Sequence, residues 1–191
     1  MSTAREKLVR TTIELVRRYG IAGVGVSEIV TESKVARRSL YINFPAGKAD
    51  LVTEATRQAG SDTTAVVQSI MSADRPVRAF VEVWKGLVYS SDFEGGCVIA
   101  AAAISRREAP EAAAEASRAY ISWTHVLAER LEQVEGLDHD DALGCATTVV
   151  AGLEGALLMA RAAKTTEPLD AVTAQLERLI DAQSPKAEPR E

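Results

Sequence analysis

The chain has 191 residues, of which 47% are hydrophobic and 26% charged, with two cysteines and two histidines. That is enough for one sizeable core, or for a small domain beside a larger one, and it excludes a disulfide framework and a low-complexity chain. The net charge of −5 is unevenly distributed: residues 1–50 hold nine Lys/Arg against five Asp/Glu (+4), and the remainder, at −9, is acidic, so a polyanion partner is expected at one end only.

Residues 4–19, AREKLVRTTIELVRRY, place Leu8, Thr12, Leu15, Val16 and Tyr19 at three-four spacing, which predicts an amphipathic helix stopped by Gly20. A shorter helix is predicted over Ser27–Ser33, with Ile29 and Val30 inward. Val35 is the apolar pivot of a turn, and Arg37–Asn43 form a third helix that Pro45 ends. Three short helices with a tight turn between the second and third describe a helix-turn-helix.

Long helices follow. One is predicted from about Lys48 to Met71, weakened at Gly60. The next opens at Pro76, with Asp74 as cap and Phe80, Val81, Trp84, Leu87 and Val88 on its apolar face. SSDFEGGC reads as a loop and CVIAAAAIS as a short buried helix. Pro110 opens a helix with Tyr120, Trp123 and Leu127 on one face, Asp138 caps another, and a last helix carries Leu169, Val172, Leu176, Leu179 and Ile180. With no strand pattern in view, the predicted fold class is all-α: a helix-turn-helix domain over 1–47, a helical-bundle domain over 48–183, and a disordered tail over 184–191.

In a helix-turn-helix the second helix enters the DNA major groove, and its first turns face the base edges. Arg37 and Arg38 sit there, and an arginine fork satisfies guanine O6 and N7 together. Ser39, Tyr41 and Asn43 carry phosphate donors, and Lys48 opens the following helix. An Arg-Arg pair alone is more often a solvated polar face, since such pairs are common.

The run REKLVRTTIELVRRYGIAGVGVSEIVTESKVARRSLYINFPAGKADLV closely resembles the N-terminal domain of TetR-family transcriptional regulators over about fifty residues. The helix-Gly end, the Ile-Val pair, the Leu-Tyr-x-x-Phe and the following lysine fall in register. The extra residue in FPAGK, with FEGGCVIAAAAIS and GLEGALLMAR, resembles one subgroup whose better-known members repress multidrug-efflux genes. Three positions depart from the pattern: Lys34 where the turn usually has Gly, Ala36 for the usual Ser cap, and Gly25 for a frequent Thr, which leaves Ser27 as the expected cap of the second helix. By position the resemblance implies DNA contact by Arg37, Arg38, Ser39 and Tyr41, with phosphate contact by Asn43 and Lys48, and Ser27 and Lys34 complete the set. Ile42 matches a position that is often aromatic, and here it is expected to pack inward.

The small side chains of residues 142–160 suit either intrachain packing or close approach of a second subunit. The resemblance implies a homodimer through helices at roughly 138–163 and 168–182, with Val149, Gly152, Ala156, Leu176 and Leu179 at its interface. It also implies a small-molecule effector in an apolar pocket of Phe80, Trp84, Leu87, Phe93, Tyr120, Trp123, Thr124 and Leu127. Glu154 interrupts an apolar run, so it must face solvent, pair with a cation such as Arg161, or line a polar spot of a cavity.

His125 and His139 lack metal spacing, Cys97 and Cys145 have no neighbouring base in sequence, and no phosphate-cradling loop occurs. No cofactor, metal or enzymatic activity is expected. Nor is there a run of eighteen apolar residues or a leader pattern, so a cytoplasmic protein without a membrane partner is expected. The residues leave open an activator, a regulator that needs its ligand to bind DNA, and a helical ligand-binding protein with a degenerate DNA-binding head.

Overall fold

The computed structural model describes residues 3–184. Among them there is no strand, and the helices are α1 (Ala4–Tyr19), α2 (Val26–Ser33), α3 (Arg37–Asn43), α4 (Lys48–Ile70), α5 (Pro76–Ser90), α6 (Val98–Ile104), α7 (Pro110–Arg130), α8 (His139–Ala163) and α9 (Glu167–Gln183). A π-helical turn, Leu131–Glu135, continues α7. Packing divides the chain into two compact units, Met1–Thr63 with Gly95–Ala119 and Thr64–Glu94 with Tyr120–Glu191. The division falls inside α4 and inside α7, so each of these helices contributes residues to both units.

Local chemistry sets the ends of the helices in the first unit. Thr3 and Glu6 form a reciprocal cap at the start of α1: the Glu6 amide donates to Thr3 Oγ1 at 3.2 Å, and the Thr3 amide donates to Glu6 Oε2 at 2.9 Å. Gly20 ends α1 at φ 70°, a conformation open to glycine at little cost. Helix α2 begins one residue earlier than the sequence predicts: Gly25 is its N-cap and makes no side-chain bond, so Ser27 is the second helical residue and caps nothing. Asp74 does not cap α5 either; Arg75 occupies that position, with no side-chain bond.

The core of the first unit is formed by Leu8, Val16, Ile21, Val24, Ile29, Leu40, Phe44, Leu51 and Val52, all almost completely buried. Arg17 fastens the end of α1 to the segment before α6, its Nε donating to the Gly96 carbonyl at 3.0 Å while the Gly96 amide returns a bond to the Arg17 carbonyl. Glu54 of α4 bridges Arg5 of α1 (2.8 Å) and Arg57 (2.5 Å). The hydrogen bonds from Arg57 and Arg5 hold the Glu54 carboxyl down from 4.5 to about 2. A lowered carboxyl pKa contributes stability that is complete above the unfolded value and is lost as pH falls toward 2, so this clamp is intact throughout the neutral range.

In the second unit α8 packs along α9, and both meet α5. Arg75 and Arg78 of α5 converge on Glu177 of α9, and Lys85 reaches Asp170 at 2.6 Å. Helix α8 is long and apolar enough to cross a membrane by length and composition, but the side chains Ala142, Cys145, Ala146, Val149, Leu153, Ala156, Leu157 and Ala160 are buried in the protein. Ser184 is also buried, its hydroxyl donating to the Glu135 carbonyl at 3.0 Å, so the expected tail does not begin there. The rest of that expectation, residues 185–191, lies outside the described residues.

Candidate nucleic-acid interface and effector cavity

The turn between α2 and α3 forms without the usual glycine. Lys34 takes φ 55°, ψ 29°, and the Ser33 hydroxyl accepts from the Val35 amide at 3.3 Å. Val35, Leu40 and Phe44 bury one side of α3. Its other side is open: Arg37 and Arg38 are exposed, as is Lys34 in the preceding turn, and among the described residues none of the three has a carboxylate partner. Tyr41 is 45% exposed, and its ring lies over Gly47, where an added Cβ would come within 3.1 Å of it. Two arginines and a phenol on a short helix, with the Lys34 ammonium in the turn before it, suit a polyanion.

The remaining candidates on this side are placed differently. Asn43 donates its amide to the Ser39 carbonyl at 2.8 Å, inside its own helix, and Ser39 is half-buried. Lys48 is half-exposed at the first position of α4, and Ser27 is exposed on α2. Ile42 contradicts the expectation of inward packing, since 69% of it is exposed beside Arg38 and Tyr41. The sequence carries a signal for this. Leu40 and Phe44, four apart, share a helix face, and a residue two positions from Leu40 falls on the opposite side.

In the second unit the aromatic residues only partly converge. Phe80 and Trp84 meet edge to face at 6.0 Å, as do Tyr120 and Trp123 at 5.3 Å. The Trp123 indole donates to the Thr64 hydroxyl at 3.1 Å. Two small cavities share Phe80 and Trp123 as walls. One, of about 20 Å³, also has Val67, Met71, Val77 and Leu127 in its lining. The other, of about 10 Å³, adds Trp84, Leu153, Leu157 and Glu154. Each has room for about one water molecule, far below the several hundred Å³ of an ordinary ligand site.

Four of the eight residues expected around a ligand, Phe80, Trp84, Trp123 and Leu127, therefore line these cavities. Thr124 does not; its hydroxyl bonds the Tyr120 carbonyl of its own helix. Phe93 stacks edge to face on Tyr89 at 5.4 Å, and Leu87 is half-buried away from both linings. Glu154 reaches the wall of the smaller cavity, while Arg161, its expected partner, donates to the Phe93 and Glu94 carbonyls. A separate recess of about 140 Å³ has mixed walls, charged at Asp74, Arg75, Arg130, Glu135 and Asp181 and apolar at Val77, Leu131 and Ile180.

Three residues expected at a subunit interface are buried inside the protomer: Val149, Ala156 and Leu176 belong to the core between α8, α9 and the cavities. Gly152 packs on Val172 and Leu176, where an added Cβ would meet side chains at 3.3 Å and 3.6 Å. Leu179 is half-buried. The uncovered stripe of α8 is a different one: Gly144, Thr148, Ala151, Gly155, Leu158, Met159 and Ala162 are exposed, and a Cβ added at Gly144 or Gly155 meets nothing.

Comparison with known proteins bears on the family and the fold. Residues 8–55 match the model for bacterial regulatory proteins of the tetR family, and residues 75–175 match the C-terminal domain of LmrA/YxaF-like transcriptional regulators. The HTH-type transcriptional regulator LmrA of Bacillus subtilis is 30% identical over 87% of this chain and 90% of its own length. An uncharacterized HTH-type regulator of Mycobacterium tuberculosis, Rv0196, is 29% identical over 97% of this chain and 98% of its own. A regulatory protein TetR from Rhodobacter sphaeroides superposes with a TM-score of 0.85 at 22% identity, covering 93% of this chain and 99% of that one, which shows a shared fold.

Proposed function

Since the chain belongs to the TetR family of bacterial transcriptional regulators, we propose that it is a homodimeric repressor, released from a pseudo-palindromic operator by a small, mostly apolar molecule. The observation that carries the DNA-binding part is the open side of α3 and the turn before it, where Arg37, Arg38 and Lys34 are exposed without a carboxylate partner on an otherwise acidic chain. Arg37 and Arg38 read base edges, and Lys34, Tyr41 and Lys48 hold phosphates. The open stripe of α8 supports the dimer, which sets the two reading helices one DNA turn, about 34–36 Å, apart.

The effector enters between Phe80, Trp84 and Trp123 by merging the two small cavities, whose walls are mostly apolar apart from Glu154. Helix α4 carries the response because its residues up to Thr63 belong to the first unit and those from Thr64 to the second. Moving operator occupancy from 99:1 to 1:99 requires the effector to prefer the released state by about 5.5 kcal/mol.

The test is fluorescence anisotropy of labelled duplexes from the protein's own upstream region, across a range of salt concentrations, with wild type and the Arg37→Ala/Arg38→Ala double mutant. Wild type should bind with a steep salt dependence, and the mutant should lose about 1–3 kcal/mol for each bidentate base contact removed. Equal, salt-insensitive binding by the two proteins refutes the assignment.

A further inference from the structure

Ile42 is the anomaly of the reading face. An isoleucine at 69% exposure keeps apolar surface in water; single exposed side chains of this kind are common, but this one stands on the helix that carries the unpaired arginines. The ring of Tyr41 is braced on Gly47, whereas Ile42 points away from the side of α3 that Leu40 and Phe44 bury. It lies four residues after Arg38, on the same face, among cations with no carboxylate partner. Whatever covers Ile42 therefore brings negative charge around an apolar group. The major groove offers that combination, since phosphates flank it and the C5-methyl of thymine is the apolar group on its base edges.

We infer that Ile42 is a specificity-determining residue that packs against the C5-methyl of a thymine in the operator. The inference rests on the DNA-binding reading above and adds a base identity to it. Four residues along a helix advance about 6 Å, and successive base pairs are about 3.4 Å apart. The thymine thus lies within about two base pairs of the guanine that Arg38 reads, in each half-site.

Deoxyuridine provides the test, because it removes the methyl and leaves the pairing edge unchanged. Full-length protein selects its best duplex from a random pool, and each thymine of one half-site is then replaced by deoxyuridine in turn. At one thymine near the Arg38 guanine, wild type should lose about fourfold in affinity, the equivalent of about 0.8 kcal/mol for one buried methyl-sized group. Ile42→Ala should bind the thymine and deoxyuridine duplexes equally, and its unfolding curve should match wild type because the side chain is exposed. Three results overturn the inference: a selected site without thymine at those positions, wild-type indifference to every deoxyuridine, or a methyl effect that persists in Ile42→Ala. The last two, with tight wild-type binding, leave the parent reading standing. If no duplex is enriched, or Arg37→Ala/Arg38→Ala binds the enriched duplex as wild type does, the parent reading fails and the inference falls with it.

Discussion

Lys34 has two roles that pull in opposite directions. Its φ of 55° lies in the left-handed region, which costs a residue with a Cβ about 1–2 kcal/mol relative to the right-handed one and costs glycine almost nothing. The same position holds an unpaired ammonium beside Arg37 and Arg38. Lys34→Gly should therefore stabilise the protein by about 1 kcal/mol, raising Tm by about 2–4 °C in a thermal melt. It should also weaken DNA binding and flatten the slope of log affinity against log salt by about one. A glycine variant with an unchanged slope would show that this ammonium meets no phosphate, and a lower Tm would show that the turn needs the lysine for another reason. The departures at Lys34 and Ala36 leave the turn and α3 formed, because the buried Val35, Leu40 and Phe44 hold α3 from its other side.

Among the helices, glycine at an interior position has two distinct meanings, which a propensity scale does not separate. Gly60 of α4 reads as a weak point, yet a Cβ placed there would sit 2.9 Å from the Cβ of Ala119 on α7, so the glycine permits a close helix contact. Gly86 of α5 has nothing within 4 Å of an added Cβ. Gly86→Ala should gain the usual 0.5–1 kcal/mol of helix propensity, about that much in a urea melt. Gly60→Ala gains the same propensity but must displace a methyl fixed to a backbone, an overpacking cost of about 1–3 kcal/mol, and should come out destabilised. Equal shifts of one sign would refute the distinction. The same limit explains what was legible in the sequence. The extents of α1 and α3 and the end of α3 before Pro45 follow from periodicity and capping within one segment. The inward or outward choice at Val149 and Ala156 depends on which neighbouring helix arrives, and α8 is apolar on more than one face, so the pattern alone does not choose, whereas the outward turn of Ile42 was legible from Leu40 and Phe44. The π turn after Arg130 left no signal, since its apolar residues fit an ordinary helix equally well.

For the whole molecule the decisive question is what covers α8. Leu158 and Met159 are 58% and 61% exposed, and they continue a line through Gly144, Thr148, Ala151 and Gly155, while Ala171, Gln175, Arg178 and Ala182 are exposed on α9. Small residues in that line let a second helix approach closely. In a twofold interface each position occurs twice, so one substitution alters the contact in both subunits. Gly155→Arg is an informative change because space around Gly155 is open in the protomer, and arginine is the better helix former. The variant should fold as well as wild type by circular dichroism, yet sediment as a monomer where wild type sediments as a dimer. Its affinity for a full palindrome should fall toward that for a half-site, since the second head no longer binds as part of one molecule. A Gly155→Arg protein that remains dimeric and binds the palindrome normally would move the interface off this stripe. In that case the exposed line on α8 would need another occupant, and the 34–36 Å spacing of the reading helices would have to be set elsewhere in the chain.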